Sequence, residues 1–417
     1  MRNPKDFLEQ LFHIAIEAAH PKPAMAKVLP EKPKGRTIVI GAGKGAAQMA
    51  KAFEELWDGP VEGVVVTRYG YACETQHIKV LEASHPVPDP AGMEATAALR
   101  NAVQDLTEDD LVIALICGGG SALLPAPPDG LTLGDEQDLN RVLLASGAPI
   151  SVMNAIRTSV STIKGGKLAA LAKPAQVVSF VVSDVPGDDP AQVASGPTVA
   201  STSVHDPLQL AASYGISLPT AVIDYIRQNG ALAVPDTSNA TTHVIASAAL
   251  SLEAAADFAL RQGVTPHILS DAIEGEARDI GMMHAALARE IVRKNRPFQA
   301  PCLVLSGGET TVTLGQDTKG ARGGRNTEFL LSFALGIEGV EGIVALAADT
   351  DGIDGSEDNA GAFADGSTIL RLRDMGHDPQ AMLNAHDAWG AFDAVGDIFA
   401  PGPTGTNVND FRALLIL

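Results

Sequence analysis

Aromatic residues make up only 4% of this 417-residue chain. A protein that stacks single-stranded bases exposes several aromatic rings, so this supply argues against that class. Cysteine is scarce too: Cys73, Cys117 and Cys302 lie far apart and form no C-x-x-C pair. That spacing fits neither a disulfide framework nor a zinc site, and it suits a reducing, cytoplasmic setting. No apolar run approaches the roughly 20 residues that span a bilayer, and no apolar signal core follows Met1-Arg2-Asn3-Pro4. Positive charge is short as well, with 30 Lys and Arg against 50 Asp and Glu and a formal net charge of -20. This balance opposes nucleic acid and anionic membranes at long range. A local Lys/Arg cluster still governs its own cleft, because charge farther away than roughly 8 Å is screened. The expected partners are small molecules, with no nucleic acid and no membrane, for a monomer or homodimer.

Apolar residues, by contrast, are abundant at 46%, enough for buried cores, and the length favours two domains over one. Asn3 and Pro4 suit the cap and first position of a helix whose Phe7, Leu11, Ile14 and Ala18 share a face. A β-then-α alternation follows. Strands are expected at 37–40, 61–67, 77–81, 111–117 and 176–182, and helices at 46–56, 91–106, 135–146 and 151–172. Near-continuous apolar strands separated by helices predict a parallel sheet covered on both faces. The polar cluster Pro235-Asp-Thr-Ser-Asn239 marks a boundary between domains 1–236 and 237–417. Beyond it, strands are expected at 242–246, 302–305, 310–314 and 343–347, with helices at 247–262 and 276–294. Gly307-Gly308 reads as a tight turn between two strands, hence a mixed sheet. The fold class is α/β: a Rossmann-like domain plus a smaller α/β domain.

Four segments carry chemistry. Gly41-Ala-Gly43-Lys44-Gly45-Ala46 follows a strand and opens a helix. Its glycines let the backbone approach an anion, and the helix N-terminus supplies unpaired N–H groups. The spacing fits the dinucleotide pattern G-x-G-x-x-A, but the next strand ends Val66-Thr67-Arg68 with no acid for a ribose. Lys44 suits phosphate or carboxylate better, and an ordinary βα turn is the plain alternative. No Walker-type phosphate loop occurs. Cys117-Gly118-Gly119-Gly120-Ser121 forms a second loop after a strand. Three glycines exceed what a turn needs, and Ser121 suits binding better than a nucleophile. Ser183-Asp184-Val-Pro-Gly-Asp188-Asp189 places acids at a strand end, for Mg²⁺ or a substrate proton, or simply as a solvated turn. Just upstream, Asn154, Arg157, Ser161, Lys164 and Lys167 have near-helical spacing, which predicts a basic helix face.

The fourth group comprises Ser306-Gly-Gly-Glu309-Thr310, Gly320-Ala-Arg-Gly-Gly324-Arg325-Asn326, Asp349-Thr-Asp351-Gly-Ile-Asp354 and Thr404-Gly-Thr-Asn407-Val-Asn-Asp410. Arg325 beside Gly324 brings a guanidinium, which matches phosphate geometry, next to backbone N–H groups. The Asp349 segment starts like a calcium loop but carries Ala360 where the twelfth-position Glu belongs. Mg²⁺ shared with phosphates is the better use.

Taken in order, these segments resemble the glycerate 2-kinase family, the type with a C-terminal MOFRL domain. The likeness rests also on His85-Pro-Val-Pro-Asp89, Ile163-Lys-Gly-Gly-Lys-Leu168, Ser195-Gly-Pro-Thr198 and Gly402-Pro-Thr-Gly-Thr-Asn407, and it runs over nearly the whole chain. It implies ATP-dependent phosphorylation of D-glycerate at its 2-hydroxyl, with ATP and Mg²⁺ as cofactors and an active-site cleft between two domains. It implies Lys44, Asp184, Arg325 and Asp351 as catalytic residues, with Asp349 and Asp351 as metal ligands. Substrate and phosphate would be bound by Gly43, Gly45, Gly119, Gly120, Ser121, Arg157, Lys164, Gly324, Asn326 and Asn407. The chain departs from the family pattern at Ser84 (Gly), at Val152 (an acid) and at Thr158-Ser159 (Lys-His), which bears on the acceptor more than on phosphoryl transfer. An NAD(P)H-dependent hydroxypyruvate reductase and a non-catalytic sugar-acid or nucleotide sensor are the alternatives.

Overall fold

The computed structural model describes residues 3–185, 187–200, 206–230, 233–314 and 322–417. Pro186, Gly320 and Ala321 of the motifs above lie outside the described residues. The chain forms two compact units, one of Pro21–Ile245 and one of Met1–His20 with Ala246–Leu417.

The Pro21–Ile245 unit is built on a six-stranded sheet of β1 (Thr37–Ala42), β2 (Glu62–Arg68), β3 (Ile78–Ala83), β4 (Leu111–Cys117), β5 (Gln176–Val182) and β6 (Ala240–Ala246). The strand order is β3-β2-β1-β4-β5-β6. β2–β3, β1–β2, β1–β4 and β4–β5 all pair in parallel. This is the doubly wound order, whose direction of winding reverses between β1 and β4, so loops leaving their carboxyl ends diverge and leave a crevice. β1 and β4 are buried along their whole lengths, which is why they read as unbroken apolar runs. Ala95 and Leu99 of helix Pro90–Ala102 share a core with Ile38, Ile40, Val112 and Ala114. Helix Ala46–Leu56 packs against β1, β2 and β4. A separate strand-free cluster gathers Leu139, Leu143, Val152, Ile156, Val222 and Ile226 from helices after β4.

The other unit has a six-stranded sheet and a two-stranded one. Their strands are β7 (Thr265–Ile268), β8 (Gly275–Glu276), β9 (Cys302–Gly308), β10 (Thr310–Thr311), β11 (Ile343–Asp349), β12 (Gly361–Asp365), β13 (Ile398–Phe399) and β14 (Asp410–Ile416). The larger sheet runs β13-β12-β11-β14-β9-β7. β7–β9 is parallel, while β9–β14, β14–β11, β11–β12 and β12–β13 are antiparallel. Helices Ala277–Lys294 and Arg325–Gly336 bury Ala285, Ile291, Phe329 and Phe333 with one set of strand residues. The opposite set, including Leu303, Leu346 and Phe411, is covered by Leu8, Leu11 and Phe12 of helix Pro4–Ala18 and by helix Ala248–Arg261.

The Asn3 cap, accepting from the Lys5 amide at 3.1 Å, forms as expected. That first helix nevertheless belongs with residues 246–417 rather than with the first sheet. Phe12 meets Phe399 edge-on at 5.1 Å, and the Ser251 hydroxyl donates to the Ala15 carbonyl at 2.9 Å. Each large apolar side chain so buried is worth on the order of 2 kcal/mol. Residues 240–246, placed beyond the boundary by the polar cluster at 235–239, form β6 of the first sheet.

Two further expectations need correction. The mixed sheet exists, but Gly307-Gly308 is not a hairpin turn. β9 runs through both residues and pairs with β14, whereas β10 joins β8 in the two-stranded sheet. Gly308 has φ 115°, and a Cβ there would lie 2.2 Å from the Ile273 amide nitrogen, so only glycine fits. The helix expected over 151–172 is two: Ile150–Ser159 and Lys167–Leu171. Gly165 and Gly166, at φ 66° and 85°, break it. The single basic face therefore does not form, because Ser161 and Lys164 lie in the connecting loop.

Candidate functional site

In the Pro21–Ile245 unit the two glycine loops meet where β1 and β4 end. The Lys44 amide donates to the Gly118 carbonyl at 2.8 Å, tying one loop to the other. The Gly45 amide donates to Cys117 Sγ at 3.1 Å, and the Thr67 hydroxyl to the Lys44 carbonyl at 2.9 Å. Gly43, at φ 137°, passes so close to Cys117 that a Cβ would sit 2.4 Å from its carbonyl oxygen. Glycine at 118 and 119 answers to side chains rather than to turn geometry alone. A Cβ on Gly118 would lie 1.8 Å from Asp184 Oδ2. One on Gly119 would lie 3.0 Å from His85 Nε2 and 3.1 Å from Lys44 Cγ. Lys44, His85 and Asp184 therefore gather over one glycine loop, an ammonium, an imidazole and a carboxylate at the crevice the strand order creates. Burial, with the charges of Lys44 and Arg68, pushes His85 down to about 4, so its imidazole is neutral at pH 7. Burial, with the Asp184 charge adding to it, pushes the Cys117 thiol up to about 12, and this cysteine is inert.

Ser121 extends the constellation through side chains. Its hydroxyl shares a 2.8 Å hydrogen bond with that of Ser195, which donates to Asn154 Oδ1 at 2.8 Å. Arg157 Nη1 donates to the same oxygen at 3.1 Å, and Arg157 Nε to Asn140 Oδ1 at 2.9 Å. Burial lowers Arg157 to about 10, still fully charged at neutral pH. Lys164 stands apart: it is 1% exposed and its ammonium pairs with Glu136 at 2.7 Å, so its charge is already met. Asp189 caps its own turn, accepting from the Ala191 amide at 3.0 Å. Val152 belongs to the helical apolar cluster. The Thr158 and Ser159 hydroxyls turn back on the helix carbonyls of Ala155 and Ile156.

The remaining predicted residues gather in the other unit around Arg325, at the start of helix Arg325–Gly336. Three acids divide its guanidinium: Asp410 takes Nε at 2.6 Å, Asp349 takes Nη2 at 2.7 Å and Glu309 takes Nη1 at 2.9 Å. Burial alone would lower the arginine pKa, but these three charges outweigh it and raise it. Asp354 accepts the Asn326 and Thr327 amides at 2.9 and 2.8 Å, capping the helix. A Cβ on Gly324 would lie 2.4 Å from Asp354 Oδ1, which explains the second glycine of that loop. Asn326, fully buried, donates from Nδ2 to Asp410 at 2.8 Å. Burial and the neighbouring Asp351 and Asp410 push the Asp349 carboxyl well above its usual range, against the pull of Arg325. Asp351 accepts from the Ile353 amide at 2.9 Å and from Asn407 Nδ2 at 3.3 Å. A cavity of about 680 Å³ opens here, lined among others by Glu309, Arg325, Asp349, Glu328 and His386. Among the described residues no group of three or more His, Cys, Asp or Glu side chains is arranged to hold a metal ion. Two carboxylates shared with phosphate oxygens and water remain an ordinary Mg²⁺ donor set.

The sequence reading gave no individual role to His85, Glu309, Asp410 or Arg412. The first three stood inside quoted motifs. Arg412 did not; the signal it offered is a charge two residues from Asp410 leading an otherwise apolar run to Leu417, and the structure buries it completely. It pairs with Asp410, donates to the Gly307 carbonyl at 3.1 Å and lies over the Phe329 ring.

Two family models match different parts of the chain. Residues 7–227 match the family described as a domain of unknown function, DUF4147, and residues 302–410 match the MOFRL family. A glycerate 2-kinase of Pyrococcus horikoshii is 40% identical over 92% of this chain and 88% of its own length. A D-glycerate 2-kinase of Thermotoga maritima is 38% identical over 97% of this chain and 96% of its own. A protein of Agrobacterium vitis that carries hydroxypyruvate reductase as a provisional name is 50% identical over 99% and 94%. The crystal structure of the glycerate kinase from Thermotoga maritima superposes with a TM-score of 0.90 at 37% identity, covering 99% of both chains. No described helix is long and apolar enough to cross a membrane.

Proposed function

Because this chain belongs to the DUF4147–MOFRL family of glycerate kinases, we propose that it transfers the terminal phosphoryl group of ATP to the 2-hydroxyl of D-glycerate. The products are ADP and 2-phosphoglycerate. The observation that carries this reading is the grouping of Lys44 and Asp184 on the Gly118–Gly119 loop. An acceptor carboxylate docks on the Gly119, Gly120 and Ser121 backbone and hydroxyl, with the Arg157 charge behind the Ser195–Asn154 relay. Asp184 accepts the hydroxyl proton as the oxygen attacks phosphorus, and Lys44 offsets the charge that spreads over the transferring group.

Arg325 supplies the matching guanidinium for phosphate. Its surroundings also favour a divalent cation. Asp349, Asp410 and Glu309 contact it, and Asp351 adds a further charge beside Asp349. Arg325 and Arg412 are too few positive charges for that carboxylate set, so an anionic nucleotide is repelled unless a cation accompanies it. Asp349 and Asp351 would hold Mg²⁺, which when bound neutralises phosphate charge.

The test is direct. Purified protein is incubated with ATP, Mg²⁺ and D-glycerate, and the phosphorylated position is read by phosphorus NMR. A signal at the 2-position supports the reading, and no phosphorylated glycerate sinks it. The reductase reading has support in the provisional name of the Agrobacterium vitis relative and in the dinucleotide-type strand order. It has its own arm: loss of absorbance at 340 nm with hydroxypyruvate and NADPH.

A further inference from the structure

The three acids on Arg325 are not equivalent. Asp410 is 0% exposed at its side chain and Asp349 7%, and both are fixed by further contacts. Asp410 also holds Asn326 and Arg412, and Asp349 also accepts the Asp351 amide at 3.1 Å. These two occupy Nε and Nη2 and act as the rigid seat of the guanidinium. Glu309 differs in both respects. Its side chain is 51% exposed, it stands between β9 and β10 at the wall of the 680 Å³ cavity, and it holds only the outer nitrogen, Nη1. An exposed pair of this kind is worth roughly 1 kcal/mol or less, whereas the buried acids cannot leave without stranding a charge.

We infer that Glu309 is a built-in competitor for phosphate on Arg325: its carboxylate holds Nη1 and gives it up to a phosphate oxygen. The inference rests on the reading of Arg325 as a phosphate-binding group. On binding, the Nη1–carboxylate hydrogen bond breaks, a hydrogen bond from Nη1 to phosphate replaces it, and Glu309 turns outward to water. The guanidinium is thereby kept in its binding orientation, and anions that cannot outcompete a carboxylate are excluded.

The experiment measures binding of inorganic pyrophosphate to the full chain by isothermal titration calorimetry with Mg²⁺ present. Glu309→Gln is expected to tighten Kd roughly three- to fivefold, the range open to an exposed ion pair. Glu274→Gln, which removes a charge from the same cavity wall, is the control and is expected to change Kd by less than twofold. In an Arg325→Ala background the gain from Glu309→Gln should vanish. An unchanged or weaker Kd in Glu309→Gln overturns the inference, as does an equal gain in Glu274→Gln or a gain that survives without Arg325. Weaker binding with altered Mg²⁺ dependence would make Glu309 a metal ligand instead. Because pyrophosphate binding needs no turnover, the kinase reading can fail while this result stands, and the reverse also holds.

Discussion

Under the proposed function, the glycine loops of the first sheet and the Arg325 cluster would meet negative charge by opposite means. At the end of β1 and β4 the work is done by backbone: Gly43, Gly118 and Gly119 admit neighbours that a single Cβ would displace. Around Arg325 it is done by side chains, with Asp349, Asp410 and Arg412 almost entirely out of water. A backbone site depends on close approach, and its folding tolerates loss of any one charge. A site of interlocked buried ions is pre-organised, but each member holds the others in place.

The largest expected effect tests that contrast through stability. Asp410→Ala leaves Arg412 and the Nε edge of Arg325 buried without their partner. It should cost about 3–5 kcal/mol of unfolding free energy, measured by urea denaturation. Lys44→Met, at the half-buried edge of the backbone site, should change stability by less than about 1 kcal/mol. Equal losses in the two variants would erase the distinction.

Turnover should reverse the ranking's message, because both sites are proposed to serve one reaction. Lys44→Met and Arg325→Ala should each lower kcat by roughly 10²- to 10³-fold, about 3–4 kcal/mol of transition-state stabilisation. Asp184→Asn should lower kcat with nucleotide affinity nearly intact, while Asp351→Asn should raise the Mg²⁺ concentration needed for half-maximal rate. Turnover within a few-fold of the parent in either cation variant would remove that residue from the proposed chemistry.

A third effect is read by pH inside the second unit's core. His284 is 0% exposed, held between the Ile280 carbonyl and the Ser306 hydroxyl at 2.8 and 3.0 Å. Burial, aided by the Arg412 charge, pushes it from its usual 6.5 down to about 4. Between those values the unfolded chain binds a proton that the folded one refuses. Stability from this residue is thus complete above pH 6.5 and is lost as pH falls through about 4. The full swing is on the order of 3 kcal/mol. Urea denaturation of the parent and of His284→Gln at pH 7 and pH 4.5 should show the smaller pH loss in the variant. Parallel losses would place the acid sensitivity elsewhere.

The centre of the first sheet was legible because β1 and β4 are buried along their whole lengths and therefore apolar without interruption: Leu111–Cys117 was read residue for residue. β14 was not, although it lies at the centre of the second sheet. Asp410 and Arg412 interrupt its apolar pattern, and it takes their pairing with each other and with Arg325, Asn326 and the Gly307 carbonyl, invisible along the sequence, to let two charges sit inside a sheet. The start of the first helix was read correctly, but the helix was assigned to the wrong neighbours, since amphipathicity suggests that a face is buried and not against what. The 151–172 helix failed for a local reason, two glycines whose positive φ the spacing of charges obscured. The site residues were named by motif, but that Lys164 is spent on Glu136 could only come from three dimensions.

The smallest effect concerns how each kind of loop is held in place. The glycine loop after β1 is held through its own backbone groups, which meet the Gly118 carbonyl, Cys117 Sγ and the Thr67 hydroxyl, whereas the loop entering Arg325 is also clipped by its own side chain. The Arg322 amide donates to the His386 carbonyl at 2.9 Å, and the Trp389 amide donates back to the Arg322 carbonyl at 3.0 Å. The Arg322 guanidinium lies 3.8 Å over the Trp389 ring and reaches Glu357 at 3.3 and 3.4 Å. Arg322→Lys keeps the charge and the backbone bonds but loses the planar stack and the forked pairing. With a partly exposed pair, the loss should be roughly 0.5–1 kcal/mol. Because the stack orients the two glycines before Arg325 rather than touching the reacting atoms, the expected signature is a two- to fivefold rise in the KM for ATP, roughly the same energy, with kcat nearly unchanged. Trp389→Phe, which keeps a weaker ring face, should fall between parent and Arg322→Lys. A drop in kcat with an unchanged KM would mean that Arg322 acts on the transferring phosphate itself, and the clip would then be a consequence of catalysis rather than its support.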